Sequence, residues 1–411
     1  MQLSVEILDR VFGFLVWHRE TLYACSKDPI LSPIVERHLY YDVVVQIAGT
    51  PNRNTFGSDQ LSRLVSENPR ILYYVRILQI QVESPDTQVV REQLDKFAET
   101  LLKFPVLECL VLAPETNGWY WTDIFRAALE DRLKLPTLTE VHFVVSKDFP
   151  PFLLDKCKNV KDLSFSGPAL FEVVEGGDSD PTLPQLKTLT LQTPRISSSF
   201  RAWLKRHVSG LQSLTCVMLP AEVLPELLGA CSETLNRLEL SLLYQPECKI
   251  HFITSNNIPE HRNPPDYSTH TFRTGQSRIK HFPEIPLIPK NLQQLIIYAF
   301  ADMDDNVPKG YRSCLPAVAE AVNSFIPSLR HLVLDVTIAL TSFSNFTKFD
   351  FSPLAVLGII PRTDLYVHTG IAPAAVTRAQ LMSLLGDDQG IMGSIEEGRL
   401  VIHSEKAFEE D

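Results

Sequence analysis

An α/β fold, with short parallel strands alternating with helices along a repeating chain, is predicted by three features of this 411-residue sequence. A signature of the form apolar-x-x-apolar-x-apolar recurs from Val75 onward, and its last two apolar positions alternate as in a strand with one buried face. Apolar residues at helical spacing fill the stretches between copies. No tight hairpin turn joins one copy to the next, so successive strands run parallel and are linked by crossovers.

The first element is a helix from Ser4. It sets Val5, Leu8, Phe12 and Leu15 on one face and Ile7, Val11 and Phe14 on an adjacent one. A short terminal helix has one side to bury, so an apolar stripe this wide implies a second partner, another protein chain. Further short helices are expected over Glu20–Cys25 and from Ser32, read as an N-cap with Pro33 at the first helical position. They lead into a strand-like run from Tyr41 to Val45.

The repeats follow. The signature reads Val75/Leu78/Ile80, Leu107/Leu110/Leu112, Leu138/Val141/Phe143, Val160/Leu163/Phe165, Leu186/Leu189/Leu191, Leu211/Leu214/Cys216 and Leu235/Leu238/Leu240. After a gap come Leu292/Leu295/Ile297, Leu329/Leu332/Leu334 and Leu354/Leu357/Ile359. From Leu138 to Leu235 the steps are 22, 26, 25 and 24 residues, inside the span of leucine-rich repeats. The Asn or Cys that usually completes that motif is missing, so the expected fold is an irregular leucine-rich-repeat-like solenoid with parallel strands on its concave face. Between strands, Val90, Leu94, Phe97, Ala98 and Leu101 share a helical face, as do Ile124, Phe125, Ala128 and Leu129. Ser198–His207, Ala221–Ala230 and Cys314–Phe325 supply further helices.

Residues 245–289, rich in Pro, His, Asn, Ser and Thr, break the period. A stretch of that composition is expected to form a loop or a flap over one face. Beyond Leu365 a short strand, a helix near Ala374–Leu385 and an acidic tail close the chain. The organisation is therefore a helical segment at 1–45, a solenoid at 46–370 and a C-terminal helix and tail at 371–411.

Strand alternation identifies a surface. The residue between the second and third signature positions faces the concave side, giving Gln79, Val111, His142, Ser164, Thr190, Thr215, Glu239, Ile296, Val333 and Gly358. The residue after the third faces the same way, from Gln81 and Gln192 to Tyr298, Asp335 and Ile360. Candidate target-holding residues in these rows are His142, Thr190, Gln192, Glu239, Tyr298 and Asp335. The C-terminal rows turn apolar, so that end is either covered or an exposed binding patch.

The formal charge of −11 disfavours nonspecific binding to nucleic acid or anionic membranes. No run approaches the roughly 18–20 apolar residues of a membrane span, and no secretory signal is visible. Seven unpatterned cysteines fit a reducing compartment, cytoplasm or nucleus. Catalytic signatures fail: there is no phosphate-cradling Gly-rich loop, no His-Glu-x-x-His and no Gly-x-Ser-x-Gly elbow. Cys248 and His251 have ligand spacing but no second compact pair, so no metal is expected there. The run from Asp302 to Asn306 resembles half a calcium loop, with Val307 and Ser313 where Gly and Glu belong. Trp119, Tyr120 and Trp121 are of a type favoured as interface anchors, with core packing or a helix staple as the preferred reading.

One resemblance adds to this reading. Leu3-Ser4-x-Glu6-Ile7-Leu8-x-x-Val11-Phe12-x-Phe14-Leu15, then Thr21-Leu22-Tyr23-Ala24-Cys25-Ser26, then Arg37-His38-Leu39-Tyr40-Tyr41-Asp42-Val43, resembles the F-box. It is closest to the F-box proteins abundant in mushroom-forming fungi, which often carry a segment like Asn68-Pro69-Arg70-Ile71 with Tyr74-Val75-Arg76-x-Leu78. The resemblance covers residues 3–45 and implies a non-catalytic, cofactor-free, substrate-recruiting subunit of a Skp–cullin–F-box ubiquitin ligase. Leu3, Ile7, Leu8, Val11, Phe12 and Leu15 would dock on a Skp-type adaptor, some of them instead holding the helices to the repeats. The repeats would present a protein target, with catalysis supplied by proximity. The alternatives are a leucine-rich scaffold whose helices only cap the solenoid, and an enzyme with an unrecognised concave-face site. Exposure of the apolar N-terminal face in the isolated chain separates the first two.

Overall fold

The computed structural model describes residues 4–16, 18–51, 55–82, 87–114, 122–144, 151–167, 185–193, 196–217, 223–243, 289–303, 315–340, 352–369 and 389–404. The stretch 245–288, the Trp119–Trp121 aromatics, the region 304–313, the helix expected near Ala374–Leu385 and the end of the tail lie outside them. The fold is α/β with parallel strands. Among the described residues no helix is long and apolar enough to cross a membrane. The chain divides into two compact units, Met1–Glu239 with Ile285–Leu292, and Leu240–Glu284 with Gln293–Asp411.

The first unit opens with α1 (Val5–Phe14), α2 (Arg19–Cys25) and α3 (Ser32–Leu39). Phe12, Leu22, Ile34, Val35 and Leu39 form their own buried cluster, with Leu8, Leu15, Cys25 and Leu31 packed against it. Ser4 caps α1, its Oγ accepting from the Ile7 amide at 3.4 Å. Ser32, expected to cap α3, lies inside the helix and donates instead to the Glu36 carboxylate at 3.0 Å. No side chain caps α3; Asp28 accepts from the Ile30 amide at 2.8 Å in the turn that precedes the helix.

The strands follow as β1 (Asp42–Ile47), β2 (Phe56–Gly57), β3 (Ile77–Val82), β4 (Cys109–Pro114), β5 (Glu140–Val144), β6 (Asp162–Ser166), β7 (Thr188–Gln192), β8 (Ser213–Val217) and β9 (Arg237–Leu243). Their order in the sheet is β2-β1-β3 and then sequential to β9. β1, grouped with the N-terminal helices in the sequence reading, is therefore a rung of the sheet, pairing with β3 from Asp42↔Ile77 to Ile47↔Val82. Crossovers are α4 (Ser58–Glu67), α5 (Thr87–Leu101), α6 (Asp123–Arg132), α7 (Ser198–His207) and α8 (Val223–Ala230), with short 3-10 turns at Pro69–Tyr73 and Pro151–Lys156.

Strands β3 to β9 begin in the same way. The apolar residue that leads the signature (Val75, Leu107, Leu138, Val160, Leu186, Leu211 and Leu235) is buried in every copy. Two consecutive amides then donate to one carbonyl of the preceding repeat: Arg76 and Ile77 to Tyr41, Glu108 and Cys109 to Arg76, Thr139 and Glu140 to Glu108. The series continues through Thr139, Lys161, Lys187 and Gln212 as acceptors. The last two signature positions are buried, and the residues between and after them stay half-exposed on the sheet's other, open face. The buried face meets the helices: Phe165 stacks on Phe143 at 5.6 Å and meets Phe200 of α7 edge-on at 5.1 Å. On α6, Phe125, Ala128 and Leu129 are buried, but Ile124, assigned to the same face, is exposed, since it falls a residue short of that stripe.

The second unit carries β10 (Gln294–Met303), α9 (Leu315–Phe325), β11 (His331–Leu340), a 3-10 helix (Ser352–Ile359), β12 (Arg362–Thr369), α10 (Gln389–Glu396) and β13 (Leu400–Ser404). Its strands are parallel in the order β10-β11-β12-β13. One strand assignment is corrected here. Leu354/Leu357/Ile359 is the 3-10 helix, and the strand lies at Arg362–Thr369. A three-residue apolar interval suits a 3-10 turn as well as the signature, and Pro353 at its start removes an amide a strand ladder would use. The true copy is Ile360/Thr363/Leu365, all buried, with a threonine in an apolar position. Asp364 and Tyr366 thus take the places given to Gly358 and Ile360.

Phe165→Ala removes a fully buried ring lying between Phe143 and Phe200 and should cost about 3–5 kcal/mol, whereas Ser166→Ala on the open face should change stability by less than about 0.5 kcal/mol. Urea unfolding of the two variants, read by Trp fluorescence, checks this; equal shifts would refute the assignment of faces.

Candidate functional site

Two kinds of surface stand out: the outer side of α1 and, in each unit, the open face of the strands. On α1 the helix is pinned to α3 by Asp9, whose carboxylate accepts from Arg37 at 2.9 Å and meets His38 Nε2 at 2.9 Å. That rotation turns Leu8, Phe12 and Leu15 onto the helical cluster. It leaves Val5 (56% exposed), Ile7 (48%), Val11 (44%) and Phe14 (83%) facing outward. Ile7, Val11 and Phe14 share one strip at i, i+4 and i+7. Glu6 in the first turn is held below the usual carboxylate range by backbone amide donation and the Ser4 hydroxyl.

The six expected adaptor-facing residues therefore divide. Phe12 is buried, Leu8 and Leu15 are partly buried on the chain's own core, Ile7 and Val11 are outward, and Leu3 lies outside the described residues. Val5 and Phe14 join the outward set. Phe14's place on the adjacent strip was legible from the helical period, whereas Val5, expected on the face of Leu8, Phe12 and Leu15, is outward at the exposed start of the helix. Which strip faces inward was not legible, because it depends on packing against α2 and α3.

On the first unit's open face the register aligns Gln79, Val111, His142, Ser164, Thr190 and Thr215 as one row of direct neighbours. Ser166 and Gln192 belong to the next row. His142, Thr190, Gln192 and Glu239 are all partly exposed there, as the alternation predicts. His142 Nε2 lies 2.6 Å from the Glu140 carboxylate, and this contact holds Glu140 below its ordinary range against the opposing effect of burial. Cys109 sits directly across from Glu140 on the neighbouring strand. Burial, with the charges of Glu140 and Asp42, pushes its thiol up. The Cys109, Glu140 and His142 ligand atoms all fall within 4.8 Å of one another. Glu239 pairs with Arg237 at 3.4 Å. At the sheet's start Asp42 accepts from Gln79 at 3.1 and 3.2 Å, yet burial outweighs these bonds and raises its carboxyl.

In the second unit Tyr298, Asp335, Tyr366 and His403 form one register row. Tyr298 is 39% exposed, and Tyr366 stacks on His403 at 4.2 Å with the planes 6° apart. Beside them the buried Asp364 receives His331 Nε2 at 2.7 Å, His403 Nε2 at 3.1 Å and Arg362 Nε at 3.5 Å. Burial pushes its carboxyl up, but the two imidazoles and Arg362 prevail and hold it below the usual range. This cluster escaped the sequence reading because the misplaced strand put Gly358 where Asp364 stands. Among the described cysteines none is in a disulfide, and burial pushes the thiols of Cys216 and Cys231 up, the latter to about 12, which makes them poor nucleophiles.

Because Asp364 has a folded pKa below its unfolded value, its stabilisation is present above the unfolded value and is lost as pH falls through the folded one. Asp364→Asn should cost about 1.5–3 kcal/mol at neutral pH. The wild type should also lose this advantage as the pH drops below about 4. Thermal unfolding of both proteins across that range tests it, and parallel curves would overturn the role. No protein-family model matches this sequence and no curated protein does, so a functional reading rests on these surfaces and on the sequence itself.

Proposed function

We propose that the chain is a non-catalytic, substrate-recruiting subunit of a Skp–cullin–F-box ubiquitin ligase. In this reading α1 to α3 dock a Skp-type adaptor and the open face of the strands, leucine-rich-repeat-like in sequence, holds a protein target. The single observation that carries it is the outward apolar strip of α1: Val5, Ile7, Val11 and Phe14 stand clear of the chain's own core in a helix that already has one. An exposed apolar side chain returns roughly 1–3 kcal/mol when fully buried, so four together are a standing drive to associate. The F-box-like residue pattern supplies the kind of partner. His142, Thr190, Gln192, Glu239, Tyr298 and Asp335 would contribute the target side, and the ligase reading places the protein in cytoplasm or nucleus.

The second reading, a scaffold whose helices merely cap the repeats, is favoured by Leu8, Phe12 and Leu15 packing inward and by the Asp9 tie to α3. The two readings differ in what the outward strip does.

Co-expression with a Skp-type adaptor, followed by size-exclusion chromatography, should give a stable complex with the wild type. A Val11→Asp/Phe14→Asp variant should remain folded, because both positions are outward, and should elute unbound. A wild type that folds and forms no complex would leave the helices as a cap.

A further inference from the structure

We propose that Cys109, Glu140 and His142 form a binding site for a zinc-like divalent cation on the open face of the first unit's sheet, with one coordination position left open. The site does not rest on the recruiting role above.

Register assembles it. Cys109 and Glu140 are direct partners across β4 and β5, and His142 follows two residues on, returning to the same face. Their three ligand atoms lie within 4.8 Å of one another. Around a tetrahedral zinc such atoms stand about 3.3–3.6 Å apart. Glu140 and His142 are partly exposed, at 42% and 30%, which leaves their side chains room to turn toward a shared ion. Cys109 is 6% exposed and supplies the fixed, inner ligand.

The donor set selects the ion. A thiolate, an imidazole and one carboxylate suit a borderline-soft cation, whereas calcium and magnesium want oxygen alone. Without an ion, the carboxylate and the imidazole satisfy each other at 2.6 Å. Binding exchanges that contact for two bonds to the metal. The thiol S–H bond breaks, its electron pair goes to the cation, and its proton leaves to solvent, as does any second proton His142 carries. All three ligands come from the sheet side, so the open position points outward, to be filled by water in the isolated chain.

The reducing-compartment reading is compatible, since Cys109 is in no disulfide. The site is invisible to a search by chain spacing, because its cysteine and histidine belong to different repeats and meet only through strand register.

The test uses the full chain, purified without chelators and kept reduced with a phosphine. Co²⁺ titration should give one equivalent with tetrahedral d–d bands and a near-ultraviolet thiolate-to-cobalt band. Zn²⁺ should displace it, and proton release should accompany both. Cys109→Ser should abolish the thiolate band, while His142→Gln and Glu140→Gln should weaken zinc binding by about tenfold or more. Cys25→Ser, elsewhere on the chain, should change neither. If Cys109→Ser fails to fold, the other two variants decide. A wild type that takes up no stoichiometric zinc, a thiolate band that survives Cys109→Ser, or zinc affinity unaltered in His142→Gln and Glu140→Gln would each overturn the site.

Discussion

The carbonyl that accepts two successive amides from the next repeat is the contact on which the first unit depends. It runs unbroken from Tyr41 through Arg76, Glu108, Thr139, Lys161 and Lys187 to Gln212. A parallel strand pair gains little from its connection, whose length varies freely here, from a full helix such as α5 to a single 3-10 turn at Pro151–Lys156. Something must therefore reset the register at each rung, since a slip of one residue would send every buried leucine to the open face. The paired amides do this at the point where the chain leaves its buried leading residue and enters the strand. Irregular repeats can then stack as regularly as uniform ones.

Much of this was legible in the sequence, and for a physical reason. Burial alternates with period two in a one-sided sheet, so Gln79, His142, Ser164 and Thr190 could be assigned to one row from the leucines beside them. A pattern of apolar residues with two physical solutions is not legible in this way. Leu354, Leu357 and Ile359 satisfy the strand signature and a 3-10 turn alike, and only the prolines at 353 and 361 favour the second. Thr363, buried without a branched hydrocarbon to announce it, concealed the real strand. At the other end, Tyr40 to Val45 fits the signature, yet it follows three short helices directly, and only pairing with β3 separates it from them.

The candidate surfaces were less legible than the fold, because each depends on contacts between segments distant in sequence. The rotation of α1 that buries Phe12 and packs Leu8 and Leu15 inward also brings Asp9 to Arg37 and His38, contacts between segments far apart in sequence. The strip left outside, Ile7, Val11 and Phe14, is the one whose exposure gives the recruiting proposal its substance. Asp364 likewise draws its partners from two flanking strands, His331 from β11 and His403 from β13.

The polar face and the apolar strip also ask for different partners. The strip on α1 can be satisfied by any complementary apolar groove, and its specificity must come from shape and from the charged residues around it. The open face in the first unit offers groups that already satisfy one another, Glu140 with His142, Asp42 with Gln79, Glu239 with Arg237. A ligand there gains only if it replaces those contacts with stronger ones, because an exchange of equal hydrogen bonds yields little net free energy. A thiol, an imidazole and a carboxylate brought together by register meet that condition for a metal ion more readily than for a neutral peptide. The same strand register that fixes the core thus determines which chemistry the outer surface can hold.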